Sequence, residues 1–137
     1  GNGAKPTRAR AFPRAELNRQ GFLLMPAGRK GPAFIATKNF YVLKKFNESD
    51  LYALFIGHLA DRYKNNRPFV ARWSKLGGFS KRDVQAMQVR LEKRKVDVGG
   101  ADGLIGFKTR TAVGTWQSQN NLKPTCFPDA KLIRRIR

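Results

Sequence analysis

The sequence predicts a mainly α fold with one small β-hairpin and a three-helix module at its C-terminal end. Three observations carry that prediction. Residues sharing a helical face recur in separate stretches: Leu51, Leu54, Phe55, His58, Leu59 and Arg62; then Val84, Met87 and Leu91; then Thr109, Ala112, Val113 and Trp116. Two short apolar runs, 22–25 and 33–37, flank a stretch with prolines and glycines at 26–32, the pattern of a hairpin with a long loop. An Asp102-Gly103 turn and a second glycine, Gly106, precede the last of the three helical stretches, and glycine is suited to the tight backbone such a turn requires.

Composition sets the bounds. The chain has 137 residues, 41% hydrophobic and 11% aromatic, enough for one domain or two small ones with a packed core. No apolar run approaches the roughly 20 residues of a spanning helix; the longest, 51–59, contains Gly57 and His58. The start, Gly1-Asn2-Gly3, has no apolar stretch behind it and reads as a cut or processed chain rather than a signal peptide. Net charge is +19, with 15 basic and 4 acidic residues in 1–77 and 13 and 5 in 78–137, so the excess is not a tail effect. Such a chain is drawn to polyanions: nucleic acid, a carboxylate-rich cell wall, or an anionic membrane surface. The single cysteine, Cys126, has no disulfide partner and the only histidine is far away, which suits a partly buried thiol and not a nucleophile.

In chain order, 1–12 reads as a basic flexible arm. A short helix is expected over 13–20, with Pro13 in its first turn and Gly21 as its stop. Gly28-Arg29-Lys30-Gly31 reads as a plain loop, because no helix with Lys-Ser/Thr follows to make it a phosphate cradle. The stretch 39–45 is short and helical or irregular. Ser49 is a good N-cap and Asp50 sits well in the first turn of a helix over 50–63. The apolar density of that helix implies burial against something substantial. The polar, basic stretch 64–78, with Pro68, Gly77 and Gly78, contains the expected boundary, and Trp73 within it reads as a packing anchor. The organisation is therefore an arm at 1–12, a first domain at 13–70, a linker at 71–78 and a second domain at 79–137. In the second domain Ser80 and Asp83 form a near capping box for a helix reaching about Lys95, whose outer Arg90, Lys93 and Arg94 form a solvated face. A loop over 96–103, a helix over 108–120, a proline-bearing connection over 122–128 and a last helix over 129–135 complete it.

The turn and its helix resemble a family signature. Asp102, Gly103, Gly106, Thr109, Ala112, Val113, Trp116 and Gln117 match D-G-x-x-G-x-x-T-x-x-A-V-x-x-[FW]-Q, which is similar to the core motif of the peptidoglycan-binding domain type 1. Val84, Met87, Gln88 and Leu91 suit that family's first helix, and Leu132 and Ile133 its last, so the resemblance spans about 79–136. It implies a shallow groove for stem peptides at the 102–110 turn. Asp102, Gly103, Thr109 and Arg110 would make contacts there, Phe107 and Trp116 would form walls, and Arg110 would pair with a peptide carboxylate through two hydrogen bonds. On residue chemistry alone, Asp102 and Thr109 equally suit bracing of the turn, and Trp116 suits the core.

The first half resembles a second family. Gly31-Pro-Ala-Phe-Ile-Ala-Thr-Lys-Asn-Phe40, Lys45-Phe-Asn-Glu-Ser49 and Gly57-His-Leu-Ala-Asp-Arg62 are similar to the end of the catalytic domain of B-type lytic murein transglycosylases, in which a peptidoglycan-binding module follows. That resemblance implies that Asn47 and Ser49 line a saccharide cleft, although a capped helix start explains them as well. Phe46 departs from the family's tyrosine and removes a hydroxyl from that side; Phe55 stands near the family's small residues. The family's catalytic glutamate lies upstream of these motifs and is not in this chain. Cleaving a glycosidic bond needs a proton delivered to the leaving oxygen. Glu16, Glu48 and Glu92 sit in polar surroundings, so no catalytic residue is assigned and the chain is expected to be inactive alone. His58 with Asp61 is too small a donor set for a metal, and no metal or cofactor is expected.

The function expected is peptidoglycan binding by the C-terminal part of a periplasmic or envelope-associated lytic transglycosylase, with glycan strands and stem peptides as partners. One alternative is an inactive envelope adaptor that docks protein partners. Another is a basic nucleic-acid-binding protein, weakened by the lack of a base-reading Arg and Asn set in the last two helices.

Overall fold

The computed structural model describes residues 18–66, 69 and 72–136. The expected arm at 1–12 lies outside them, as does most of the helix expected over 13–20; Asn18 and Arg19 lie in a turn and a bend. The chain is mainly helical with one antiparallel hairpin, as the sequence predicts, and divides into two compact units. The first holds Gly1–Leu24 and Phe34–Arg72, the second Met25–Ala33 and Trp73–Arg137.

In the first unit, strands β1 (Phe22–Leu24) and β2 (Phe34–Ala36) pair with Phe22 opposite Ala36 and Leu24 opposite Phe34. Helix α1 (Lys38–Lys44) follows and packs on both β2 and α2 (Asp50–Asn65). The polar break at 47–49 starts α2 through its own side chains. Ser49 Oγ accepts from the Tyr52 N–H at 3.3 Å and Asn47 Oδ1 from the Ser49 N–H at 2.9 Å, so both satisfy donors that a helix start otherwise leaves unpaired. The stop is Asn66, in the left-handed region at φ 47°, whose N–H returns to the Arg62 carbonyl. Little of this unit is buried. Its buried apolar residues, among those described, are Ala36 and Ala53, while Leu51, Phe55 and Leu59 stay 58%, 61% and 40% exposed. The burial expected for the apolar face of α2 is therefore found only in part: Leu54 and His58 are half-buried, while Leu51, Phe55 and Leu59 stay at the surface of the described residues.

The second unit has a continuous core. Helices α3 (Lys81–Lys93), α4 (Phe107–Gln119) and α5 (Ala130–Arg135) enclose Val84, Met87, Leu91, Val98, Ala112, Val113, Trp116, Leu132, Ile133 and Ile136. Each large side chain buried this fully stabilises the fold by about 1.5–3 kcal/mol. A full capping box opens α3: Ser80 Oγ accepts from the Asp83 N–H and the Asp83 carboxylate accepts from the Ser80 N–H at 2.7 Å. Helix α4 buries more residues than α3 or α5: Thr109, Arg110, Ala112, Val113, Gly114, Trp116 and Gln117. Gly114 leaves room for Cys126, whose Sγ would stand 2.6 Å from any Cβ there. Asp129 caps α5 by accepting from the Leu132 N–H at 2.8 Å.

The hairpin loop between β1 and β2 belongs to this second unit. It contains a 3-10 turn, Gly28–Lys30, and buries Pro26, Ala27, Gly28 and Pro32. Trp73 packs on Gly31, where a Cβ would lie 3.1 Å from its ring, consistent with the anchor expected of it.

Candidate functional site

The loop from Lys95 to Gly106 turns sharply several times. Lys95, Gly99, Gly100 and Gly103 all have positive φ, the region that glycine enters without strain. One interior side chain holds the far part of the loop. Gln88, fully buried on α3, accepts from the Gly103 N–H at 2.7 Å and donates to the Leu104 carbonyl at 2.9 Å and to Thr109 Oγ1 at 3.0 Å. Thr109 passes the tie on by donating to the Val98 carbonyl at 3.0 Å. Asp102 Oδ1 accepts from the Leu104 N–H at 2.8 Å, closing a local turn. At Gly103, φ is +77° and a Cβ would lie 2.7 Å from the Lys81 carbonyl, so the loop lies against the first turn of α3.

This bracing fixes which residues face outward. Leu104 is 59% and Phe107 71% exposed, two apolar side chains on a lip whose backbone is held from within. Lys108 pairs with Asp97 beside them at 2.8 Å. The Lys108 ammonium, and then the Gly99 N–H, hold the Asp97 carboxyl below its ordinary range. Gly106 begins α4 without a side-chain cap, and the first turn carries no carboxylate.

The six residues expected to form the site separate into two groups. Asp102 and Phe107 are at the surface. Gly103, Thr109, Arg110 and Trp116 are buried, Arg110 at 7% exposure with Nη1 donating to the Ile105 carbonyl at 3.3 Å. The structure brings all but Trp116 to one loop and the start of one helix, while Trp116 lies in the core. Sequence reasoning missed Gln88 as the organiser and Leu104 as an exposed lip residue. A signal for Gln88 was present: a glutamine stands among Val84, Met87 and Leu91 on a face that is otherwise apolar.

In the first unit, Asn47 and Ser49 are exposed at the start of α2, next to Phe46 at 85% exposure. Asp50 is tied to Lys44 at 2.6 Å. Further along α2, an open groove of about 410 Å³ is lined by Phe55, His58, Leu59, Arg62, Tyr63 and Asn66. His58 stacks on the Phe69 ring at 3.7 Å and 17°. Among the described residues no group of three or more potential ligands could hold a metal, and no helix is long and apolar enough to cross a membrane.

Comparison with known proteins agrees with both halves of this description. Residues 1–61 match the family model of the "Transglycosylase SLT domain", and residues 80–136 that of the "Putative peptidoglycan binding domain". Two crystal structures of SltB3 from Pseudomonas aeruginosa are similar to the chain at a TM-score of 0.75. One, in complex with NAG-anhNAM-pentapeptide, is 34% identical and is matched over 91% of this chain. The other, in complex with NAG-NAM-pentapeptide, is 35% identical over 92%. The chain spans 34% of the length of each. No curated protein matches significantly. The chain is thus similar to the transglycosylase SLT domain over residues 1–61 and to the peptidoglycan binding domain over residues 80–136.

Proposed function

We propose that this chain binds peptidoglycan as part of a lytic transglycosylase of the cell envelope, with the second unit gripping a glycan-linked stem peptide. The observation that carries this reading is the lip: Leu104 and Phe107 stand exposed on a loop that Gln88 and Thr109 hold rigid from inside. A preformed surface with apolar anchors avoids the ordering cost of binding. The uncapped start of α4 and the surplus of basic residues suit the carboxylates of a stem peptide. SltB3, similar over nearly the whole chain, was crystallised with a sugar-linked pentapeptide.

In this reading Asp102, Gly103, Thr109 and Arg110 shape the lip and Phe107 contacts the ligand, with Leu104 beside it. Trp116 supports them from the core. Asn47 and Ser49 belong to the edge of a saccharide cleft in a complete enzyme. The exposed Leu51, Phe55 and Leu59 of α2 pack against the remainder of a transglycosylase domain in that enzyme. Alone, the chain does not cleave glycan. A proton donor for a glycosidic oxygen works from a sheltered carboxyl, whereas Glu48 and Glu92 are both exposed. A periplasmic location follows from the same reading.

The test is co-sedimentation with purified peptidoglycan across a salt series, with DNA as competitor. Pelleting that persists in salt and resists DNA supports the binding module. Pelleting that disappears at moderate salt, or transfers to DNA, overturns it and leaves the +19 charge as the whole signal.

A further inference from the structure

Gln117 ends the signature that runs through α4, yet it takes no part in the lip. It is 5% exposed, and both ends of its side chain are committed to the connection between α4 and α5. Its Oε1 accepts from the Thr125 N–H at 2.9 Å and the Cys126 N–H at 3.1 Å, and its Nε2 donates to Thr125 Oγ1 at 2.9 Å. Held this way, Cys126 takes a left-handed backbone at φ 55°, and the Thr125 carbonyl is left to accept a bond from elsewhere.

The donor comes from far away in sequence. The Arg29 N–H reaches the Thr125 carbonyl at 2.8 Å. Next to it, Lys30 Nζ meets Asp129 Oδ2 at 2.7 Å, and the Lys30 carbonyl accepts from the Ser74 N–H at 3.0 Å. Gly28 is at φ +53°, and a Cβ there would stand 2.2 Å from the Thr125 oxygen and 2.7 Å from the Cys126 oxygen. Only a residue without a side chain allows this approach. Asp129 also caps α5, which carries Leu132, Ile133 and Ile136 into the core. The family match covers 80–136 and does not include the loop.

We propose that the 125–129 connection is a docking surface for the Met25–Ala33 loop of the same chain, and that Gln117 is the residue that positions it. The loop is then a fourth structural element of the peptidoglycan binding domain. Its seating supports the cap of α5 through the shared Asp129 carboxylate. This inference does not depend on what the lip binds.

Native-state hydrogen exchange on the whole chain tests it, since amide protection reports local opening separately from global unfolding. In the unaltered chain the Arg29 and Ser74 amides are expected to exchange at least about tenfold more slowly than in an unstructured peptide. Gln117→Ala, although remote from the loop in sequence, is expected to raise exchange at Arg29, Ser74 and Leu132 at least about tenfold. The Leu91 and Val113 amides should change far less. Lys30→Met removes only the ion pair and is expected to act on the same amides by a smaller factor, which keeps a readout if Gln117→Ala fails to fold. Arg29 and Ser74 amides unprotected in the unaltered chain would overturn the proposal. So would a Gln117→Ala effect that rises equally at Leu91 and Val113, because general destabilisation then explains it.

Discussion

The Gly103 N–H lies 2.7 Å from the Oε1 of Gln88, a side chain with no exposed surface. The glutamine amide makes three further contacts, at 2.9 Å to the Leu104 carbonyl, 3.0 Å to Thr109 Oγ1 and 3.4 Å to Asp102 Oδ1. Replacing it with leucine keeps the volume but strands the Gly103 donor and the Leu104 acceptor. Each buried polar group left unpaired costs about 1–3 kcal/mol. Gln88→Leu should therefore destabilise the second unit by roughly 3 kcal/mol, read as a lower midpoint in urea unfolding followed by tryptophan fluorescence. A change below about 0.5 kcal/mol would mean that the loop is held by other means.

Gly103→Ala attacks the same junction from the backbone. The methyl group would sit 2.6 Å from the Lys81 side chain, which can swing away, and 2.7 Å from the Lys81 carbonyl, which cannot move without its helix. The positive φ adds its own strain. A loss of about 2 kcal/mol is expected by the same unfolding measurement. Gly100→Ala provides the comparison: its φ is also positive, but a Cβ there meets nothing within 4 Å. It should cost only the backbone strain. If the two variants lose the same amount, contact with α3 is not what selects glycine at 103.

Local chemistry made much of the fold legible. Ser49, Ser80 and Asp129 each stand where a helix needs an oxygen for its first N–H groups, and each makes that bond. Two short apolar runs around a proline- and glycine-bearing stretch located the hairpin. Long-range partners were not legible. Nothing local to Gly28, Arg29 and Lys30 says that they meet Thr125 and Asp129 about a hundred residues later, and a glycine-bearing loop reads the same whether docked or free. At the candidate site, helical spacing located Thr109 and Trp116 on the buried face, while the motif presented them as contacts. Arg110 was misleading for a different reason: arginine usually reaches solvent, but here its guanidinium turns back to the Ile105 carbonyl.

Acidification should loosen the second unit. Three of its carboxylates are held below their ordinary range. Asp83 is held by the Ser80 N–H and then the Ser80 hydroxyl, Asp97 by the Lys108 ammonium, and Asp129 by the Lys30 ammonium and then the Leu132 N–H. A depressed pKa in the folded state contributes stability that is present above the unfolded value. That contribution is lost as pH falls through the folded value. The melting temperature should hold steady from neutral pH to about 5, then decline below about 4 as these carboxylates bind protons. Asp129→Asn should flatten part of that decline, because it removes one group that titrates differently in the two states. An acid decline identical in slope to that of the unaltered chain would show that the Lys30 contact does not perturb Asp129.

Phe107 and Arg110 are close in sequence and opposite in environment, which separates binding from bracing. Phe107 is 71% exposed and Arg110 7%. Phe107→Ala should leave the urea midpoint within about 0.5 kcal/mol, as is usual for surface positions. It should weaken pelleting with peptidoglycan roughly tenfold if the ring is an anchor, since truncating an anchor costs more than about 1 kcal/mol. Leu104→Ala should act in the same direction. Arg110→Ala should lower stability and binding together, because it releases the Ile105 carbonyl on which the lip rests. If Arg110→Ala weakens binding at unchanged stability, the guanidinium reaches the ligand directly. If Phe107→Ala pellets like the unaltered chain, the lip is not the contact surface and the search moves to another face of the second unit.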